Sequence, residues 1–255
     1  MKTNFLLLSL TAITMVLISS CNPDENPGVV VLNAELSWSG ETLSIGDTVT
    51  DYIGHDVRTD KLSCYLSNIS LRNGSGEWIN SASISRLDFI TNSATASGVF
   101  SKKLLRSSNE FNAVKFDVGV PSEMNSMPLN TSLPSNNPLS VAGSAGMTWD
   151  MMKSYFFVKC EGKLAENEGG LIQTPFILHP ASNALYRTVT LDLNESIVLN
   201  QDETIVFSLD LDLYKAFEGA SNENNLDLSA VGHAMGPVAN ATQFVDNFSL
   251  SWTLK

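Results

Sequence analysis

The chain has 255 residues, with 15 basic against 27 acidic side chains and a net charge of −12. That length suits one large all-β domain or two small ones. The acidic balance excludes a nucleic-acid binder, whose phosphate contacts need clustered Lys and Arg, and otherwise speaks of solubility and a weak attraction for cations.

Residues 1–20 read as a leader. Lys2 gives the positive start, and Phe5 to Ile18 is an apolar run of signal-peptide length, too short for a comfortable membrane span. Ile18-Ser19-Ser20-Cys21 resembles a bacterial lipobox, which implies cleavage before Cys21 and lipid on that residue. Two or more acyl chains anchor a protein stably where one does not. A plain secretory signal that happens to contain a cysteine is the alternative. Residues 21–28 form an acidic, Pro-containing tether. Acidic residues just after a lipidated cysteine resemble a surface-export signal, so the expected location is the outer membrane, on its periplasmic or outer face.

Residues 29–255 show no linker and are expected to form one domain. Val29 to Trp38 begins as a β-branched run and then alternates, as a strand with one buried face does. Leu62 to Leu71 changes phase near Ser67-Asn68, which predicts a bulge. Asn73-Gly74 marks a hairpin turn. Phe111 to Val120 alternates cleanly, and Pro121 to Ala145 then loses all periodicity in a long Pro/Asn/Ser-rich loop. A loop of that length inside a compact domain is functional or disordered. Strands are further expected at Tyr155–Cys160, at Phe176–His179 as the end of another, at Arg187–Leu193, at Thr204–Leu213 and at Phe248–Leu254, with short helices at Tyr214–Phe217 and Ala239–Phe244. About ten short strands with regular turn signals predict an all-β, antiparallel β-sandwich.

Chemistry-bearing residues are few. There are three cysteines; with Cys21 assigned to lipid, Cys64 and Cys160 remain, either as a disulfide or as two buried thiols. The three histidines are His55, His179 and His233, the last in Gly-His-Ala-Met-Gly with Met235 two residues on. Imidazole and thioether together suit copper, and an extended His-x-Met segment puts both on one face. No HExxH, CxxC or close His pair points to zinc, and no serine elbow or nucleotide glycine motif points to an enzyme. Asp210 and Asp212 are two apart on a strand, as on a solvated face.

Several segments, taken together and in order, resemble the MbnP-like copper-binding family. They are Leu62 to Leu71, with its Tyr-x-Ser-Asn core; Phe116 to Val120 followed by Asn125; Met147-Thr148-Trp149 with Tyr155 and Glu161-Gly162; Phe176 to His179; and His233-Ala234-Met235 with Asp246-Asn247 downstream. The resemblance implies a β-sandwich that binds copper without catalysis of its own, with a di-haem cytochrome c peroxidase-like partner that oxidises a tryptophan. It implies ligands at His179, His233 and Met235 and a pocket around Trp149, Tyr155, Asn68 and Asn125. The chain departs from the family pattern in three places. Met151 stands where a second tryptophan is usual, Ser154 where a glycine is, and Ser37-Trp38-Ser39 where an early histidine is. The competing expectation is a surface β-sandwich that binds glycan or protein through the long loop and exposed tryptophan, its metal site degenerate.

Overall fold

The structure, a computed structural model, describes residues 26–106, 109–126, 133–219, 221 and 224–255. The leader, Cys21 and most of the tether lie outside the described residues. The chain opens with β1 (Gly28–Trp38), β2 (Glu41–Thr42), β3 (Thr48–Thr50), β4 (Asp56–Asn73), β5 (Trp78–Asn80), β6 (Ile84–Asp88) and β7 (Ser93–Phe100). A short helix α1 (Lys102–Leu105) leads to β8 (Glu110–Val118), α2 (Ser122–Asn125), β9 (Thr148–Trp149), β10 (Ser154–Tyr155), β11 (Val158–Leu164) and β12 (Thr174–His179). The last third holds β13 (Arg187–Val198), β14 (Thr204–Asp212), α3 (Leu213–Glu218), α4 (Leu228–Val231), β15 (His233–Met235), α5 (Ala239–Leu250) and β16 (Trp252–Leu254).

Two sheets make the sandwich. In one, β1 lies between β14 and β7, with β16 beyond β14 and β2 on the end of β1. In the other, the order is β13-β8-β4-β11-β12-β15, and β3, β5 and β6 also pair with the long β4. The alternation of β1 gives it one buried face: Val30, Leu32, Ala34 and Leu36 are buried while Val29, Val31, Asn33 and Glu35 are only partly covered. The phase change in β4 is a bulge, as its sequence predicts. Pairing with β8 shifts between Ser67 and Ser70, and Asn68 takes φ +52°.

The sheets are mixed rather than purely antiparallel. β1 runs parallel to β14, and β12 runs parallel to β15. Nothing in either strand's own pattern carries direction, because alternation reports a buried face and not a neighbour. A second correction concerns the C-terminus. Phe248, Leu250, Trp252 and Leu254 alternate but do not form one strand; α5 runs to Leu250 and only Trp252–Leu254 is extended. Phe244, Val245 and Phe248 form the buried stripe of that helix. Phe244 and Phe248 join Phe217, Phe176, Trp38 and Trp252 in a run of mostly edge-on aromatic contacts, with ring centres 5.6 to 5.9 Å apart. Each such buried ring contributes about 1.5–3 kcal/mol.

The Tyr155–Cys160 segment is likewise two pieces, because the backbone leaves the small β9–β10 ribbon at Phe156 and joins the large sheet at Val158. Cys64 and Cys160 are both buried and unpaired. The described part of the long loop is ordered by its carbonyls: Tyr65 and Tyr155 donate their hydroxyls to Pro138 O (2.8 Å) and Leu139 O (2.6 Å), and Arg86 donates to Gly143 O.

Candidate metal centre

The sheet edge at β12 and β15 gathers the residues of interest. β15 is three residues long and is bracketed by Gly232 (φ +54°) and Gly236 (φ +65°), left-handed values that glycine adopts without a Cβ clash. Ile177 N donates to Gly232 O at 2.9 Å, and Gly236 N donates to His179 O at 3.2 Å. The register sets Ile177 against His233 and His179 against Met235. Phe176, Leu178 and Ala234 therefore enter the core, and His179, His233 and Met235 share the opposite face.

His179 is 7% exposed, and its ring centre lies 5.9 Å from that of His233, the planes at 90°. On the neighbouring strand β11, Glu161 accepts from His179 Nε2 at 2.9 Å. Lys159 Nζ is 3.4 Å from the same carboxylate oxygen and donates to Gly146 O at 3.2 Å. Burial pushes the His179 pKa down to about 4; Glu161 opposes this, while Lys159 and His233 add to it. Burial works in the other direction on Glu161, but the Lys159 charge and the His179 contact hold its carboxyl below the usual range. Because His179 is neutral at ordinary pH, its contact with the ionised Glu161 is a hydrogen bond from Nε2–H, and Lys159 is the cation that keeps Glu161 charged. The lone pair then sits on Nδ1, which is buried and has no hydrogen-bond partner.

The β9–β10 ribbon covers this face. Phe156 N donates to Met147 O at 2.9 Å, and Phe157 N to Pro180 O at 2.7 Å, which ties the ribbon's return to the end of β12. Phe156 packs on His179 with ring centres 4.7 Å apart, and Trp149 stacks on Phe156 at 5.9 Å. The far edge of the Trp149 indole lies over Gly236, where an added Cβ would come within 2.8 Å of it. His233, by contrast, is exposed to water.

These residues fit a soft metal ion. Metal-bound histidines usually donate their second ring nitrogen to a carboxylate, as His179 does, leaving the other nitrogen for the ion. A metal–nitrogen bond of about 2.0 Å puts a ring centre roughly 3 Å from the ion. Two imidazoles on one ion then sit about 5–6 Å apart, which includes the separation found here. Two nitrogens and a thioether form a donor set for copper, Cu(I) above all. Among the described residues no three His, Cys, Asp or Glu side chains cluster to hold a metal, so the set depends on Met235.

The other pocket residues expected from the sequence have structural partners. Asn125 accepts from Tyr155 N at 3.0 Å and donates to Asn183 at 2.8 Å, and the Tyr155 hydroxyl is taken by Leu139. Asn68 donates to Asp117 (3.1 Å) and Tyr186 (3.0 Å), beside a separate pocket of about 290 Å³ that also touches Pro121 and Asn183. Of the four, Trp149 alone is stacked with the aromatic group over His179. His55 faces Asp51 at 3.2 Å instead. Glu161, Lys159 and Phe156 belong to the site without having been singled out as ligands or pocket residues. The outward phase of Lys159 and Glu161 is visible in β11, but their position beside His179 follows from strand pairing.

A mixed β-sandwich with a two-imidazole, one-thioether edge is the class that fold and site define. The MbnP family model matches residues 27–236, and the chain belongs to that family. Among solved structures, MbnP from Methylosinus trichosporium is similar, with 14% identity and a TM-score of 0.52 over 80% of this chain and 82% of that one. That likeness is one of fold. No curated protein sequence matches significantly.

Proposed function

We propose that this chain is a copper-binding protein of the bacterial cell envelope, anchored by lipid on Cys21, that binds or passes on copper without catalysing a reaction. One observation carries the reading: the buried, unpartnered Nδ1 of His179 shares a sheet edge with His233 and Met235. His179 and His233 would supply nitrogen and Met235 sulfur, with Glu161 fixing the His179 tautomer. Bound copper would be a soft cation held for storage or delivery. Family membership and the donor chemistry support this. A di-haem peroxidase-like partner would act at Trp149, which is half-buried over Gly236.

Competition of the purified protein against a chromophoric Cu(I) chelator tests the site. Wild type is expected to hold one equivalent against the chelator, and the His179→Ala/His233→Ala variant is expected to lose that tightly held equivalent. Equal affinity in the two proteins refutes the assignment and leaves the glycan- or protein-binding reading. The anchor is tested by fractionation: Cys21→Ser should move the protein from membranes to the soluble fraction.

A further inference from the structure

Two of the most exposed large apolar side chains in the described structure are neighbours, Met151 at 88% and Met152 at 61%. They occupy the turn that joins β9 to β10, where Met152 N donates to Trp149 O at 3.1 Å, Lys153 N donates to Asp150 O at 3.3 Å, and Lys153 takes φ +49°. Methionine ordinarily fills gaps in a core, and exposing two at one tip forfeits that use. Of eight methionines in the sequence, Met147, Met151, Met152 and Met235 all lie in the segments that frame the imidazole edge. Trp149 touches Gly236, the residue after Met235, so the tip is at most three residues of chain, about 11 Å, from the wall of that site.

We propose that Met151 and Met152 form a second, surface site for Cu(I), which captures the ion at the ribbon tip before it reaches His179, His233 and Met235. The proposal rests on the copper reading above for the destination of the ion, but the tip's own binding stands separately. Thioethers are neutral, soft donors that select Cu(I) over hard cations. Asp150 and Lys153 flank the pair with opposite charges, so the selection comes from sulfur and not from net charge. Among the described residues, the tip's sulfurs are on the methionines most open to an arriving ion, whereas Met235 is partly covered.

The test follows methionine methyl resonances of the full-length protein in detergent, labelled with [methyl-13C]methionine, during titration with Ag(I), a diamagnetic soft ion of the same ligand preference. The Met151 and Met152 methyls, assigned with Met151→Leu and Met152→Leu, are expected to shift in wild type and equally in the His179→Ala/His233→Ala variant. Stopped-flow loading with Cu(I) is expected to slow in the Met151→Leu/Met152→Leu variant, while the final Cu(I) equivalent stays as tightly held as in wild type. If Met235 shifts and the tip methyls do not, the tip site is overturned and the inner site stands. If the tip shifts and Met235 does not, the inner site is overturned instead. Unchanged loading kinetics in the tip variant overturn the capture role.

Discussion

His179 has one nitrogen committed to a carboxylate and the other to nothing, and it is held neutral by its surroundings. That has a consequence for the metal-free protein. An unfolded histidine takes up a proton near pH 6.5, and folded His179 does so only near 4. Between those values the unfolded state binds more protons, so stability falls as pH drops through the window and levels off below it. The full shift corresponds to on the order of 3 kcal/mol. Urea midpoints at pH 7 and pH 4.5 should therefore fall more steeply for wild type than for His179→Gln; parallel falls would refute the account. The sequence made His179, His233 and Met235 visible as donors because imidazoles are scarce and one lies two residues from a methionine. It did not make Glu161 visible as the partner of His179, since an outward glutamate on a strand looks the same whether it faces water or a histidine.

Among the elements, β15 is the decisive one, and it is held open by its flanking glycines. Gly236→Ala would force a Cβ into the Trp149 indole and strain a left-handed backbone. A loss of about 1–3 kcal/mol is expected. The thermal midpoint should drop, and Trp149 should become more accessible to acrylamide quenching; an unshifted indole would show that the ribbon does not rest on β15. A three-residue strand falls below what alternation can signal, so the His-Ala-Met segment read as a ligand motif before it could be read as a strand. α5 shows the opposite failure. Its last residues alternate with β16 by coincidence, and the helical stripe of Phe244, Val245 and Phe248 was hidden behind that pattern. Long elements with a single buried face, such as β1 and β14, were plain from sequence alone.

At the scale of the molecule, the sandwich needs no cross-link. Cys64 pairs in register with Val158, and Cys160 with Leu62, so the thiols are diagonal neighbours across β4 and β11. Diagonal Cβ atoms lie roughly 7 Å apart, beyond the reach of a disulfide. Burial also pushes both thiol pKa values up. Ellman's reagent should therefore detect neither Cys64 nor Cys160 until the protein is denatured, and reductant should leave the thermal midpoint unchanged; rapid labelling of the native protein would contradict this. The parallel pairing of β12 with β15 has a further effect. The two imidazoles come from well-separated parts of the chain and meet only when the last strand of the large sheet docks. A nascent or threading polypeptide thus keeps the two imidazoles apart, and only a molecule that has finished closing holds them side by side.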